Sequence, residues 1–261
     1  LLGGISDLAS SLADAGGTRA DAIEFVVRTV LGDEASGVVL ESLGLDPAQC
    51  QCKVPRALAS EIQQLPSPRE AISQMHEHWW AAQGTAGRRA QGAYYTPSTW
   101  AERLLDVVLQ RRAPTRGPWL EPAVGTGSFI VAALQFCKRR GLEPPSIVAL
   151  DTDPVALRIA ELRWRWAMAG TYTPPPNSRA RFICGDALNP DVLDEALDRP
   201  AGLVFGNPPF GNAIGHATRR SEGERAQHQS TFPHAARGAY DKAGLFIEAS
   251  LRVSQPDALV A

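Results

Sequence analysis

Residues 119–154 read WLEPAVGTGSFIVAALQFCKRRGLEPPSIVALDTDP. A short apolar run, Trp119–Glu121, is followed by a turn holding Gly125 and Gly127. A helical pattern then covers Ser128–Arg140, Gly141 stops it, and a second apolar run, Ile147–Leu150, ends in Asp151. Strand, tight turn, helix and strand in that order make a βαβ unit, two parallel strands joined by a crossover helix. The rhythm continues downstream. A helix is expected from Pro154 to about Ala169, stopped by Gly170, and the Pro174–Pro176 loop leads to a strand at Arg181–Cys184. A helix around Val192–Leu197, a strand at Leu203–Phe205, a long polar stretch over 211–239, a helix near Leu245–Val253 and the opening of another strand follow. Upstream, Thr96 caps a helix whose first residue is Pro97, with Trp100, Leu104, Leu105 and Val108 as its buried face. Such alternation predicts an α/β fold with a mainly parallel, Rossmann-like sheet.

The first 90 residues differ. They hold 7 Lys/Arg against 11 Asp/Glu, where the remainder holds 19 against 17. Ile23, Val26, Val27, Val30 and Leu31 recur on one helix face that ends at Gly32. Further helices are expected over Arg56–Leu65 and from about Pro68 through Trp80, with no strand pattern between them. The chain therefore divides into a helical region, 1–90, and an α/β domain, 91–261. Its 261 residues are 44% hydrophobic, enough for a core, and no run is long and apolar enough for a membrane span. Four scattered cysteines do not make a disulfide framework, which points to a reducing cytoplasm. A net charge of −2 speaks against gripping nucleic acid through bulk positive charge. The chain opens Leu1-Leu2 and stops inside the apolar run Ala258–Ala261, and is read as part of something longer.

In an open parallel sheet, ligands bind at the C-terminal ends of the strands. Four polar clusters fall there. After the first strand, Gly125 and Gly127 let the backbone turn tightly ahead of a helix N-terminus; the third glycine of the dinucleotide fingerprint is missing, which disfavours NAD. Asp151 ends the second strand 24 residues beyond Gly127, where an acid can hydrogen-bond a ribose diol, while Asp153 is placed to cap the next helix. Gly185-Asp186 ends the third strand and offers an acceptor for an adenine amine. With no GxxxxGK[ST] sequence, the ligand of this nucleoside-shaped pocket need not carry a triphosphate, and S-adenosylmethionine fits. The fourth strand leads into Asn207-Pro208-Pro209-Phe210. Two prolines remove two N–H donors and keep the chain extended, Asn207 adds a carbonyl acceptor, and Phe210 a flat ring. Two acceptors beside an aromatic face suit a planar ring bearing an exocyclic amine, and the chemistry needs no metal.

The elements GAYYTP (92–97), EPAVGTGSF (121–129), ALDTDP (149–154), GDAL (185–188), NPPF (207–210) and YDKAGLFIEASL (240–251) together resemble the N6-adenine DNA methyltransferases. Their order is similar to the gamma arrangement: GxYYTP precedes the Gly loop, and 86 residues separate Glu121 from Asn207, too few for an intervening recognition domain. The likeness covers about residues 70–261 and extends to the methylase half of fused restriction–modification enzymes and to phage-defence methylases. It implies a Rossmann-like SAM-dependent methyltransferase sheet, S-adenosylmethionine as cofactor with S-adenosyl-L-homocysteine as product, double-stranded DNA as partner, and a nuclease or other defence subunit beside it. Thr96 and Glu121 would contact the methionine end of the cofactor, with Tyr95, Pro122, Ala123, Gly125 and Gly127 around it. Asp151, with Thr152, would take the ribose hydroxyls; Asp186, with Ala187, the cofactor adenine; Phe246 would pack near that adenine. Asn207 and the Pro208 carbonyl would bind the target N6 amine, with Pro209 completing the motif and Phe210 stacking on a flipped-out base. Val124 stands where the family often has Cys. The family sheet also implies two more strands after residue 261 and a C-terminal target recognition domain.

Other readings compete. Release-factor glutamine methyltransferases and RNA base methyltransferases share an NPP-aromatic motif; the glutamine enzymes lack the element at Tyr94–Pro97. A scaffold that had lost catalysis would not be expected to retain Asn207, Pro208, Phe210, Asp151 and both glycines. Arg219-Arg220, just past the NPPF motif, are candidates for phosphate contact, whereas Lys138–Arg140 read as a solvated last turn. Cys50, Cys52, His76 and His78 match no standard zinc spacing.

Overall fold

The structure is a computed structural model that describes residues 18–43, 70–82, 96–111, 116–143, 146–169, 180–210 and 222–261, with single positions 5, 7, 9, 10, 45, 62 and 63. The chain forms two compact units, Leu1–Gln91 and Gly92–Ala261.

In the first unit, helix α1 (Arg19–Ser42) packs against helix α2 (Glu70–Ala82). Thr18 caps α1: its backbone N–H and hydroxyl both reach Asp21 Oδ2 at 2.7 Å, and the Asp21 N–H returns to the Thr18 hydroxyl at 3.2 Å. Gly32 does not end this helix, contrary to the reading of the sequence. The helix runs through Gly32 and Gly37, at about 1 kcal/mol per interior glycine. Burial of Ala22, Ile23, Val26, Val27 and Leu40, with Ala71, Ile72, Met75 and Trp79 of α2 also in the core, outweighs that cost. The expected Arg56–Leu65 helix lies outside the described residues apart from Ile62 and Gln63, both helical.

The second unit opens with helix α3 (Ser98–Arg111) and continues β1 (Trp119–Glu121), α4 (Ser128–Arg139), β2 (Ile147–Asp151), α5 (Pro154–Ala169), β3 (Ala180–Cys184), α6 (Pro190–Ala196), β4 (Ala201–Val204), α7 (Glu222–Thr231), α8 (Lys242–Val253) and β5 (Ser254–Val260). The described sheet is parallel throughout, in the order β3-β2-β1-β4-β5. Chain order runs outward from β1 through β2 to β3, then returns to place β4 on the other side of β1. That reversal creates a crevice beyond the ends of β1 and β4.

Side chains alternate across this sheet. Trp119, Ile147, Ala149 and Leu203 face α3, α4 and α5, while Leu120, Val148, Leu150 and Val204 face α6 and α8. Phe205 seals the first layer, edge-on to Trp119 at 6.1 Å and to Phe129 at 6.4 Å between ring centroids. Helix α4 ends in the glycine motif expected at Gly141: the Gly141 N–H donates to Lys138 O and the Leu142 N–H to Cys137 O.

Two readings of this unit, the cap and the buried face of α3, need correction. Pro97, not Thr96, precedes α3 as its cap, since its carbonyl accepts from the Trp100 and Ala101 N–H groups at 2.9 and 3.2 Å. The buried face of α3 is Ala101, Leu105 and Leu109, whereas Trp100 is 57% and Leu104 50% exposed. The polar stretch after the NPPF motif contains a helix, α7, with no buried residue; His228 Nδ1 meets the Tyr240 hydroxyl at 2.9 Å.

The turn between β1 and α4 depends on Gly127. Its φ is +88°, and a Cβ there would lie 3.0 Å from Cα and Cβ of Ala160 on α5. Gly127→Ala is expected to cost about 2 kcal/mol or more, since left-handed strain and a backbone clash act together. Urea unfolding against Gly141→Ala, where φ is +63° but nothing lies within 4 Å, measures the difference; Gly141→Ala should cost about 1 kcal/mol.

Candidate active site

Glu121, the last residue of β1, is 1% exposed. Burial pushes its carboxyl well above the ordinary carboxylate range, and the charge of Asp151 adds to that; the Ile130 backbone N–H and the Arg163 guanidinium oppose it only partly. Glu121 Oε2 has no hydrogen-bond partner among the described residues. The backbone after β4 passes directly over this side chain, since a Cβ on Gly206 would lie 3.2 Å from Glu121 Cγ and 3.5 Å from Oε1. The first and fourth strand ends thus meet across the crevice.

Asp151 closes the turn on the other side of β1. Its Oδ2 accepts from the Gly125 N–H at 2.7 Å and its Oδ1 from the Asp153 N–H at 2.8 Å, tying the Gly loop to the end of β2. Burial raises its pKa against these backbone hydrogen bonds. Asp153 caps α5 as read from the sequence, accepting from Val155 and Ala156 N–H at 3.0 and 3.4 Å. The Gly185 N–H donates to the Asp151 carbonyl at 3.0 Å, which brings the end of β3 alongside. There Asp186 is exposed and accepts from the Leu188 N–H at 2.9 Å.

Asn207, Pro208 and Pro209 are half-buried in the extended segment after Gly206, and Phe210 at its end is 49% exposed. Asn207 Nδ2 donates to the Thr96 hydroxyl at 3.0 Å. This contact fixes the orientation of the amide, whose acceptor is its carbonyl oxygen. Pro122 is buried and Ala123 half-buried behind the Gly loop, and Thr152 is exposed beyond β2. Ala187 and Phe246 both lie in the core layer under α8. Tyr95, and with it Arg219 and Arg220, lies outside the described residues, as do Cys50 and Cys52.

Arg163 and Ser98 escaped the sequence reading. Arg163, on α5, is 4% exposed; its Nη1 donates to the Thr126 carbonyl in the Gly loop at 2.7 Å, and its Nη2 to the Ser98 hydroxyl at 3.2 Å. A signal existed. Ile159, Ala160, Arg163 and Trp164 follow helical spacing, so Arg163 falls on the inward face while Arg158 and Arg165 fall outside it.

A parallel sheet with a Gly loop and a buried acid at its switch point, further acids on the next two strand ends and an Asn-Pro-Pro-Phe segment across the crevice defines a methyltransferase-type α/β domain. The family model described as N-6 DNA Methylase matches residues 68–252, and the chain belongs to that family. It is 29% identical over 132 residues to the type I restriction enzyme MjaIX methylase subunit of Methanocaldococcus jannaschii, over 49% of this chain and 20% of that protein. The chain thus spans about a fifth of that relative's length. Its fold is similar to part of the cryo-EM structure of a DrdV–DNA complex, at a TM-score of 0.56 and 19% identity, over 100% of this chain and 33% of that one. S-adenosylmethionine is the cofactor that the family implies. The residues present fit it: an unpartnered, buried carboxylate oxygen on Glu121 suits the ammonium of its methionine end, beside a turn held open by glycines.

The raised pKa of Glu121 has a sign. A carboxyl whose folded pKa exceeds its unfolded value destabilises the fold above the unfolded value, and the penalty grows until the folded pKa is passed. Glu121→Gln, which keeps an acceptor for the Ile130 N–H, is therefore expected to stabilise the ligand-free protein at neutral pH by roughly 1–3 kcal/mol. Thermal melts across pH check this: the gain should vanish at the acidic end, below the ordinary carboxylate range.

Proposed function

We propose that this protein transfers the methyl group of S-adenosylmethionine to the N6 amine of an adenine swung out of double-stranded DNA. It would do so in the cytoplasm as the modification activity of a restriction–modification or phage-defence system, working with a nuclease or another defence subunit. The observation that carries this reading is the Asn207–Phe210 segment lying across the crevice from Glu121, with the Asn207 amide oriented by Thr96. Family membership favours DNA over a protein glutamine or an RNA base.

The cofactor, when bound, supplies an electrophilic sulfonium methyl. The chain's own residues bind and orient. Glu121 holds the methionine ammonium, with Pro122, Ala123, Gly125 and Gly127 shaping the loop beside it. Asp151 receives the ribose hydroxyls on lone pairs left over after its backbone hydrogen bonds, with Thr152 flanking; a carboxylate has about four acceptor positions. Asp186 takes the cofactor adenine amine, above the layer that Ala187 and Phe246 fill.

The Asn207 carbonyl oxygen and the Pro208 carbonyl accept the two hydrogens of the target amine. This arrangement withdraws the nitrogen lone pair from the ring and directs it toward the methyl carbon. Pro208 and Pro209, having no N–H, cannot compete as donors, and the Phe210 ring stacks on the extruded base. No side chain has to remove a proton before transfer, since the amine loses its proton to water afterwards. The rate then rests on positioning and fixed dipoles.

Asn207→Ala is expected to reduce methyl transfer by at least about a thousandfold while leaving the cofactor dissociation constant within a few-fold. Calorimetry and methyl transfer to unmethylated genomic DNA measure the two, and loss of both together would sink the assignment. Cofactor affinity should also weaken as pH falls through the raised pKa of Glu121, with protons released on binding in that range. In Glu121→Gln the part of the pH dependence that Glu121 contributes should disappear, leaving the smaller part that Asp151, its pKa also raised, contributes. Sequencing DNA from cells expressing the complete gene, with N6-methyladenine detection, tests the substrate; unmodified adenine with modified cytosine would overturn the reading.

A further inference from the structure

Arg163 is a buried cation that no step of the proposed transfer uses, yet it touches both halves of the site. One arm of its guanidinium grips the Thr126 carbonyl, inside the Gly loop on the cofactor side, at 2.7 Å. The other reaches the Ser98 hydroxyl at the first turn of α3, at 3.2 Å. Ser98 lies two residues from Thr96, whose hydroxyl receives the Asn207 amide at 3.0 Å. A continuous path therefore runs from the Gly loop through Arg163, Ser98, Thr96 and Asn207 to the surface that would receive the base. The same guanidinium acts electrostatically on Glu121, against the like charge of Asp151.

We infer that Arg163 is a positioning residue that holds the cofactor loop and the base-binding amide in one register, so that methyl donor and acceptor nitrogen meet in line. Arginine suits this role because its planar fork donates in two fixed directions while its charge stays on; a lysine ammonium could keep the charge but not span both acceptors. Burying a guanidinium is costly unless its donors are satisfied, and a solvated surface arginine would serve stability equally well. A tie between two parts of a site explains its place on the inward face of α5. In a transfer that rests on alignment, a displacement of about 1 Å costs on the order of a hundredfold in rate.

This inference rests on the functional reading above, and the experiment separates the two. The full-length protein and its Ser98→Ala, Arg163→Lys and Arg163→Met variants are compared for S-adenosylmethionine affinity by calorimetry and for single-turnover methyl transfer to unmethylated genomic DNA. Ser98→Ala, which cuts only the arm toward Asn207, should slow transfer about three- to tenfold with affinity within twofold of wild type. Arg163→Lys should hold affinity within about threefold, because the charge beside Glu121 remains, yet transfer should stay at least tenfold slow. Arg163→Met should weaken affinity about tenfold or more and slow transfer about a hundredfold. Should Arg163→Met fail to fold, the Ser98→Ala and Arg163→Lys results decide alone. Wild-type transfer rates in both of those variants, or equal proportional losses of affinity and rate in them, would overturn the inference. Wild-type protein that binds no S-adenosylmethionine, or that leaves adenine unmodified, would instead overturn the functional reading.

Discussion

A carboxylate 1% exposed at the end of the central strand costs free energy unless its surroundings offset it, and those of Glu121 do so only in part. One oxygen is unpartnered, and a second carboxylate, Asp151, raises its pKa further. The cation that acts on it, Arg163, is arranged otherwise: it directs its fork to Thr126 and Ser98, while Asp151 spends its oxygens on backbone N–H groups of the loops. Among the described residues, the site is thus left short of one positive charge at the switch point of the sheet. A fold that keeps such a deficit gives up stability in the ligand-free state and recovers it when a cation binds.

The sheet could be read from the sequence because its signals are local. Trp119–Glu121 and Ile147–Asp151 are apolar runs bounded by glycine, proline and acid, and the alternation of Trp119 with Leu120 across two core layers follows from strand geometry alone. Helix α3 was placed but turned the wrong way for a reason that is not local. Trp100, Leu104, Leu105 and Val108 describe one plausible face, and Ala101, Leu105 and Leu109 another; composition does not choose between them. Packing against the neighbouring helices makes the choice: Ala101, Leu105 and Leu109 join the core layer of α4 and α5, with Arg139 of α4 bonding Glu102 at 3.1 Å and Asp106 at 3.0 Å at its edge. Helix α7 was hidden because a helix with no buried side chain has no apolar period to detect.

The same distinction separates the parts of the site. Glycines at positive φ, acids at strand ends and the Asn-Pro-Pro-Phe segment announce themselves by residue type. Contacts between distant elements do not. The Thr96–Asn207 bond joins residues 111 positions apart, and Arg163 joins Ser98 across 65. The sequence placed Thr96 in the site through its neighbours in the YYTP element, but its observed partner is the amide of Asn207. The element ahead of the Gly loop therefore reaches the Asn-Pro-Pro-Phe segment, which gives a physical reason for a Thr-Pro pair there: the threonine supplies a short, fixed hydroxyl, and the proline carbonyl starts the helix that carries Ser98.

Charge bears on how such a site meets DNA. The sequence from residue 91 onward carries 19 Lys/Arg against 17 Asp/Glu, so this part of the chain neutralises few phosphates in net terms. Binding that depends on counterion release strengthens with each phosphate neutralised, and a nearly neutral surface draws little from it. On the functional reading proposed above, a domain of this kind would not need to hold the duplex; it would need to accept one base from it. Acceptance of that sort would be governed by shape and hydrogen-bond geometry over a few ångströms, through the Asn207 amide, the Pro208 carbonyl and the Phe210 ring. Strong electrostatic attraction there would bind adenines everywhere with similar affinity, whereas a weak local grip leaves selection of the target to contacts made elsewhere on the duplex.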